Sequence, residues 1–358
     1  MTTTIVHFLG GLLILILGAD LLVRGASRLA AAFGVSPLVI GLTIVAIGTA
    51  SPEIAVSLQA AAAGQGDLTL GNVLGSNIFN ILFILGVTSI VAPIVIAKQL
   101  IRKDAPALLI ISLLVFALSL DGQLNRFDGV VLLLGLAIYM FFALRQSGRE
   151  SQNIQNEYAR EFSSDEPRTM RNNIINLGFI LIGLGLLVLG SNWLLDSATK
   201  IATSLGVSEL VVGLTIVAVG TSLPEVATSV MAAVRGESDI AVGNAVGSNI
   251  FNLLGVLGIG ATVAPGGIAV ASRILEFDLP AMVFVALVTL PIFYIDSRIS
   301  RSEGGLLLLY YVMYMVCVVL RAVDSPALAY ASAFVSLFAP ATLAVLAAIV
   351  LRSARKRK

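Results

Sequence analysis

The sequence predicts an all-α membrane protein made of two inverted five-helix repeats and one extra C-terminal transmembrane helix. Three observations predict it: an apolar composition, eleven hydrophobic stretches of spanning length, and a gap-free internal repeat. Of 358 residues, 58% are hydrophobic and 12% charged, with a mean hydropathy of +0.99, too few polar groups to cover a water-soluble globule. One cysteine (Cys317) and one histidine (His7) exclude a disulfide framework and a thiolate or imidazole metal cluster.

A helix needs about 20 apolar residues to cross the hydrocarbon core. Stretches of that kind lie at roughly 5–30, 38–63, 69–92, 104–121, 127–145, 173–200, 210–235, 241–263, 276–295, 304–321 and 327–351. The first lacks a basic leader and recurs as an internal copy, so it is expected to stay in the mature protein. Placing the N-terminus outside puts all but Arg126, Lys200, Arg273 and Arg321 of the 22 lysines and arginines on the cytoplasmic side. The expected topology is therefore N-out and C-in, in a prokaryotic cell membrane. The expected divisions are a first repeat at 1–145, a polar cytoplasmic loop at 146–172, a second repeat at 173–321, and an extra helix with a basic tail at 322–358. The tail "RSARKRK" reads as an orientation signal with affinity for anionic lipid.

Shifting the chain by 172 residues lays "GLTIVAIGTASPEIA" (41–55) over "GLTIVAVGTSLPEVA" (213–227) and "GNVLGSNIFNILFILG" (71–86) over "GNAVGSNIFNLLGVLG" (243–258). Each copy opens a unit of five spans, and an odd number of crossings turns the second unit upside down. Inverted repeats share a site near the bilayer midplane, where the copies meet.

That site is readable in chemical terms. Pro52 and Pro224 lack an N–H, so each is expected to free a carbonyl one turn back, those of Gly48 and Gly220, and to kink its helix. A carbonyl without a partner is costly in lipid, and a metal cation is the expected taker, with Glu53 and Glu225 as countercharge. Thr49 and Thr221 lie one turn before the glutamates, on the same face. Asn72, Ser76 and Asn80 form a polar stripe at i, i+4 and i+8, copied by Asn244, Ser248 and Asn252. Carboxylate, carbonyl, hydroxyl and amide oxygens suit Ca²⁺ better than a soft transition metal. Interhelical hydrogen bonding is the plainer account of the stripes. Asp20 with Arg24 reads as a structural i,i+4 ion pair, and Asp67, Glu237 and Asp239 as helix-start residues.

With these motifs present twice and inverted, the chain resembles the calcium/cation antiporter superfamily, in particular prokaryotic sodium/calcium exchangers, over about 300 residues. The resemblance implies that Glu53 and Glu225 bind Ca²⁺ together with the carbonyls of Thr49 and Thr221. It also implies sodium sites at the carbonyls of Ala46 and Ala218, the hydroxyls of Ser76, Ser222 and Ser248, and the amide of Asn80. Two positions depart from the family pattern. Residue 50 is alanine where the copy has Ser222, and residue 252 is asparagine where exchangers often carry aspartate.

The pocket's charge is thus −2, from Glu53 and Glu225 alone. One Ca²⁺ or two protons balance it, whereas three Na⁺ leave an excess of one. Exchange of Ca²⁺ for Na⁺ by alternating access is the expected function, with H⁺ coupling or K⁺ dependence as the alternative. A channel using the same carboxylates is disfavoured by the broken, inverted helices. An enzyme is not expected, because nothing distinguishes the two glutamates as acid and base, and ATP is not an expected driver, because no "GxxxxGK[ST]" is present. Ca²⁺, Na⁺ and membrane lipid are the expected partners, with no organic cofactor and no nucleic acid.

Overall fold

The computed structural model describes residues 2–33, 35–147, 170–204 and 218–356. Most of the polar loop at 146–172 and the start of the span expected from 210 lie outside the described residues.

The described chain is helical apart from four two-residue strands. In order, α1 is Thr2–Phe33, α2 Pro37–Thr49, α3 Ser51–Ala62, α4 Gly66–Val91 and α5 residues 100–118. Then come α6 at Arg126–Ser147, α7 at Met170–Ser204, the single turn α8 at Ala218–Gly220 and α9 at Leu223–Val234. The last four are α10 at Ser238–Val263, α11 at Ile274–Tyr294, α12 at Arg301–Ala322 and α13 at Ala327–Lys356.

Among the described residues, eight helices are long and apolar enough to cross a membrane, and the bent pair α2/α3 makes nine. Eleven were expected from the sequence. Of the other two stretches, α5 opens on Arg102, Lys103 and Asp104, and α9 is the 12-residue end of a stretch that begins outside the described residues.

The proline positions refine the expected kink into a break. Helices α2 and α3 meet at 54°, and Pro52 stands in the first turn of α3 rather than inside a continuous helix. Pro224 opens α9 in the same way. A first-turn N–H has no intrahelical acceptor, so proline costs nothing there while it forbids the preceding helix from running through.

The repeat is visible element by element. Helices α4 and α10 are each 26 residues long and offset by the same 172 positions. Each carries a π-helical turn at the same place, Asn80–Ile84 and Asn252–Val256. Leu70, Leu74, Ile78, Ile81 and Leu85 of α4 are buried in one core with their copies Val242, Val246, Ile250, Leu253 and Leu257 of α10. Both helices thus set one face into the apolar core and hold the polar stripe on another. Start signals repeat as well. Asn125 caps α6 with Asp128 reaching back to its N–H at 2.8 Å, and Ser300 caps α12 with Glu303 reaching back at 2.8 Å. Each is a capping box that satisfies two helix-end donors at once.

Two small antiparallel ribbons were not expected from the sequence. β1 (Ile94–Val95) pairs with β4 (Arg298–Ile299), and β2 (Gln123–Leu124) pairs with β3 (Ile268–Ala269). Each ribbon takes one strand from each half of the chain. Two residues are too few for a periodic signal, so hydropathy could not reveal them.

Helices α1 and α7, with residues of α2, α9 and α10, form a second, smaller core. Their antiparallel contact is a glycine seam. A Cβ at Gly11 would sit 3.0 Å from Gly190 O, and one at Gly18 would sit 2.9 Å from Gly183 O and 2.8 Å from Leu187 N. Within a bilayer no apolar driving force pulls helices together, so close backbone packing carries the association.

Candidate functional site

Glu53 and Glu225 each stand in the first turn of a helix, next to its proline. The free N–H groups of a helix start favour negative charge there. Both carboxylates are buried, at 1% exposure each, inside a chain whose described residues hold no cluster of three or more acidic, histidine or cysteine side chains. The negative charge is confined to this pair and lies among neutral oxygens.

Each carboxylate is served by the opposite half of the chain. Ser222 Oγ donates to Glu53 Oε1 at 2.6 Å and lies 3.4 Å from Ser76 Oγ. Thr221 sits beside the Glu53 carboxylate, Thr49 beside that of Glu225, and the two carboxylates are near enough to repel. Glu53 Oε2 and Glu225 Oε2 accept no hydrogen bond among the described residues. A buried carboxylate oxygen without a donor is expensive unless a cation or proton meets it.

The serines and asparagines of the stripes divide by task. Asn72 Nδ2 holds Glu53 O at 3.3 Å and Ser57 Oγ at 2.8 Å, and its copy Asn244 holds Glu225 O at 3.3 Å and Ser229 Oγ at 3.0 Å. These amides brace each glutamate's helix, as the plainer reading of the stripes has it. Asn244 Oδ1 also accepts from Thr49 Oγ1 at 3.0 Å, which fixes the threonine across the repeat boundary. Ser248 Oγ reaches Ala46 O at 3.4 Å. Asn80 and Asn252 are buried, and each keeps an amide oxygen with no donor. Ala218 opens the single turn α8.

One expectation is corrected. The carbonyls one turn before the prolines are not left for a cation. Gly48 O accepts from Ser51 Oγ at 2.6 Å, and Gly220 O accepts from Ser191 Oγ at 3.2 Å. A hydroxyl on the neighbouring turn or helix is the shorter route to satisfying a carbonyl in an apolar setting. Ser191 was missed because its copy is Ala19, so the repeat gave no doubled signal.

The half-buried pairs Tyr139–Asp104 and Tyr314–Asp278, at 3.1 and 3.0 Å, also escaped the sequence reading. They are copies of each other, but insertions between the motifs move the offset from 172 to 174 for the aspartates and 175 for the tyrosines, so a gap-free shift passes over them. The Asp20–Arg24 pair forms as expected at 2.9 Å, and Asp20 also bonds Arg235 at the end of α9. Asp67 pairs with Arg273 at 3.0 Å on the surface.

Fold and site together define a multi-pass membrane protein of prokaryotic type with an enclosed, all-oxygen, doubly acidic site. The chain belongs to the sodium/calcium exchanger protein family, whose family model matches residues 3–145 and 175–320. It is 39% identical over 318 residues to the putative antiporter CaxA of Alkalimonas amylolytica, covering 88% of this chain and 98% of that one. It is 31% identical over 345 residues to the sodium/calcium exchanger MaX1 of Methanosarcina acetivorans, with coverage of 88% and 98%. Among solved structures it is similar to the sodium-calcium exchanger NCX_Mj soaked with Na⁺ and Ca²⁺, at TM-score 0.74 and 32% identity, over 88% of this chain and 98% of that one.

Proposed function

We propose that the protein moves Ca²⁺ outward in exchange for entering Na⁺, by alternating access at the Glu53–Glu225 site. The observation that carries this is the pair of buried carboxylates, each flanked by hydroxyls of the other repeat and each with one oxygen that accepts no hydrogen bond. A single dication matches the charge of −2, and the hydroxyl, carbonyl and amide oxygens around it are the hard donors Ca²⁺ and Na⁺ take. Either cation uses the same carboxylates, so one must leave before the other binds, and that competition couples the fluxes. The ligand set proposed is Glu53, Glu225, Thr49, Thr221, Ala46, Ala218, Ser76, Asn80, Ser222, Ser248 and Asn252.

The proposed architecture is eleven spans, N-out and C-in, with inverted five-helix units at 1–145 and 173–321. The ribbons support the inversion. Helix α4 runs into β1 and α10 runs into β3, while β1 pairs at the far end of α11 and β3 at the far end of α5. Equivalent helices therefore end at opposite ribbons, as units of opposite orientation do.

Proton coupling is the second reading, favoured by one observation. Ser222 donates to Glu53, but the equivalent residue beside Glu225 is Ala50, fully buried and without a donor. The pocket has one hydroxyl fewer for Na⁺ and one carboxylate more exposed to a proton. The test is ⁴⁵Ca²⁺ uptake into proteoliposomes with Na⁺, K⁺ and pH gradients imposed separately. Uptake driven by outward Na⁺ supports the first reading. Uptake driven by a pH gradient in Na⁺-free buffer replaces it with the second, and no gradient-driven uptake defeats both. In the sodium-driven assay Ser222→Ala is expected to raise the Na⁺ concentration for half-maximal flux about tenfold, the loss of one to two oxygen contacts. Ala50→Ser is expected to lower it.

A further inference from the structure

The repeated motif "GSNIFN" carries a second asparagine, Asn77 in α4 and Asn249 in α10, one residue beyond the stripe serine. The two are copies, both buried, at 1% and 2% exposure, yet they are used differently. Asn249 Oδ1 accepts from Asn80 Nδ2 at 3.0 Å, and Asn249 Nδ2 donates to the backbone oxygen of Asn77 at 3.0 Å. Among the described residues, Asn77 Oδ1 and Nδ2 have no partner. Rotating the amide by half a turn gains nothing, since both of its ends are bare. The partner that symmetry assigns to Asn77 is Asn252, the copy of Asn80, and the Oδ1 of both Asn80 and Asn252 is bare.

Identical side chains in equivalent surroundings differ in this way when the repeats hold different conformations. An inverted-repeat carrier changes face by exchanging the conformations of its repeats. We infer that Asn249 and Asn77 are positioning residues that work in turn: Asn249 holds the amide of Asn80 toward the pocket in the conformation described here, and Asn77 holds the amide of Asn252 in the opposite one. This rests on the alternating-access reading. Buried amides left bare disfavour the conformation that leaves them so, and the disfavoured member changes with the face. With equal bonds gained and lost, the exchange is nearly balanced, as a carrier that must visit both faces requires.

The test is hydrogen–deuterium exchange on the purified full-length protein in lipid nanodiscs without Ca²⁺ or Na⁺, comparing protection of Ser51–Ala62 with that of its copy Leu223–Val234. Asn249→Leu removes the bonds of the described conformation, and Asn77→Leu removes those of its opposite. The expected result is a shift of the protection ratio by about tenfold in opposite directions for the two variants, with the double variant back near wild type. Shifts in the same direction, no shift, or a double variant that fails to return overturn the inference. Asn249→Ser and Asn77→Ser repeat the comparison with a smaller polar side chain should a leucine variant not fold. No ion gradient enters this measurement, so its failure is separate from failure of calcium transport in proteoliposomes.

Discussion

Replacing Glu225 with glutamine is expected to reduce Ca²⁺ flux in proteoliposomes to below about 1% of wild type, and Glu53→Gln to do the same. Each substitution keeps the size of the side chain and halves the countercharge of the site. At ion–oxygen contact distance and an effective dielectric of about 20, removing one unit charge from beside a dication costs on the order of 5 kcal/mol or more, a loss in affinity of at least a thousandfold. Stability should move the other way. Two buried carboxylates that repel, each with one oxygen that has no donor among the described residues, burden the ion-free protein, and glutamine relieves the repulsion. Thermal unfolding of the ion-free Glu225→Gln variant should therefore occur at or above the wild-type temperature, and added Ca²⁺ should no longer raise it. A variant that unfolds earlier yet still responds to Ca²⁺ would place the ion elsewhere.

Gly18→Leu is the substitution expected to do most damage outside the site. A Cβ there would stand 2.8 Å from Leu187 N and 2.9 Å from Gly183 O, and those atoms are backbone, which cannot swing aside. Helices α1 and α7 must separate, and every contact along their seam loosens with them. Overpacking in a well-filled core costs about 1–3 kcal/mol when side chains can adjust, so the cost here lies above that range. The melting temperature in detergent should drop by about 10 °C. Gly185→Leu is the control. It lies on the partner helix α7, where an added Cβ meets nothing among the described residues, and should change the melting temperature little.

The two halves of the molecule were unequally legible in the sequence. Spans were easy because lipid demands long apolar runs, and Glu53 and Glu225 stood out because a charge inside such a run needs a reason. The repeat then doubled each signal, which is why the difference between Ser222 and Ala50 is legible in the sequence. What stayed hidden lacked either amplitude or a copy. The π turns that begin at Asn80 and Asn252 leave no mark on hydropathy. Gly11, Gly18, Gly183 and Gly190 were in plain view, yet a seam becomes evident only once the partner helix is known. Asn77 and Asn249 belong to the quoted motif but lie off the stripe's i, i+4, i+8 register, and their unequal use is a property of one conformation that no sequence records.

The partnerships across the molecule have a bearing on its ancestry. Gly11 faces Gly190 and its copy Gly183 faces Gly18; β1 joins β4 and its copy β3 joins β2. In each case patch i of one half meets patch j of the other while j meets i, which is the self-complementary rule of a two-fold homodimer. On the inverted architecture proposed above, a single ancestral polypeptide of one repeat's length would have satisfied each of these contacts by pairing with its own kind. Gene fusion would then have freed the halves to diverge, and Ala50 opposite Ser222 is the kind of difference that identical subunits could never have held.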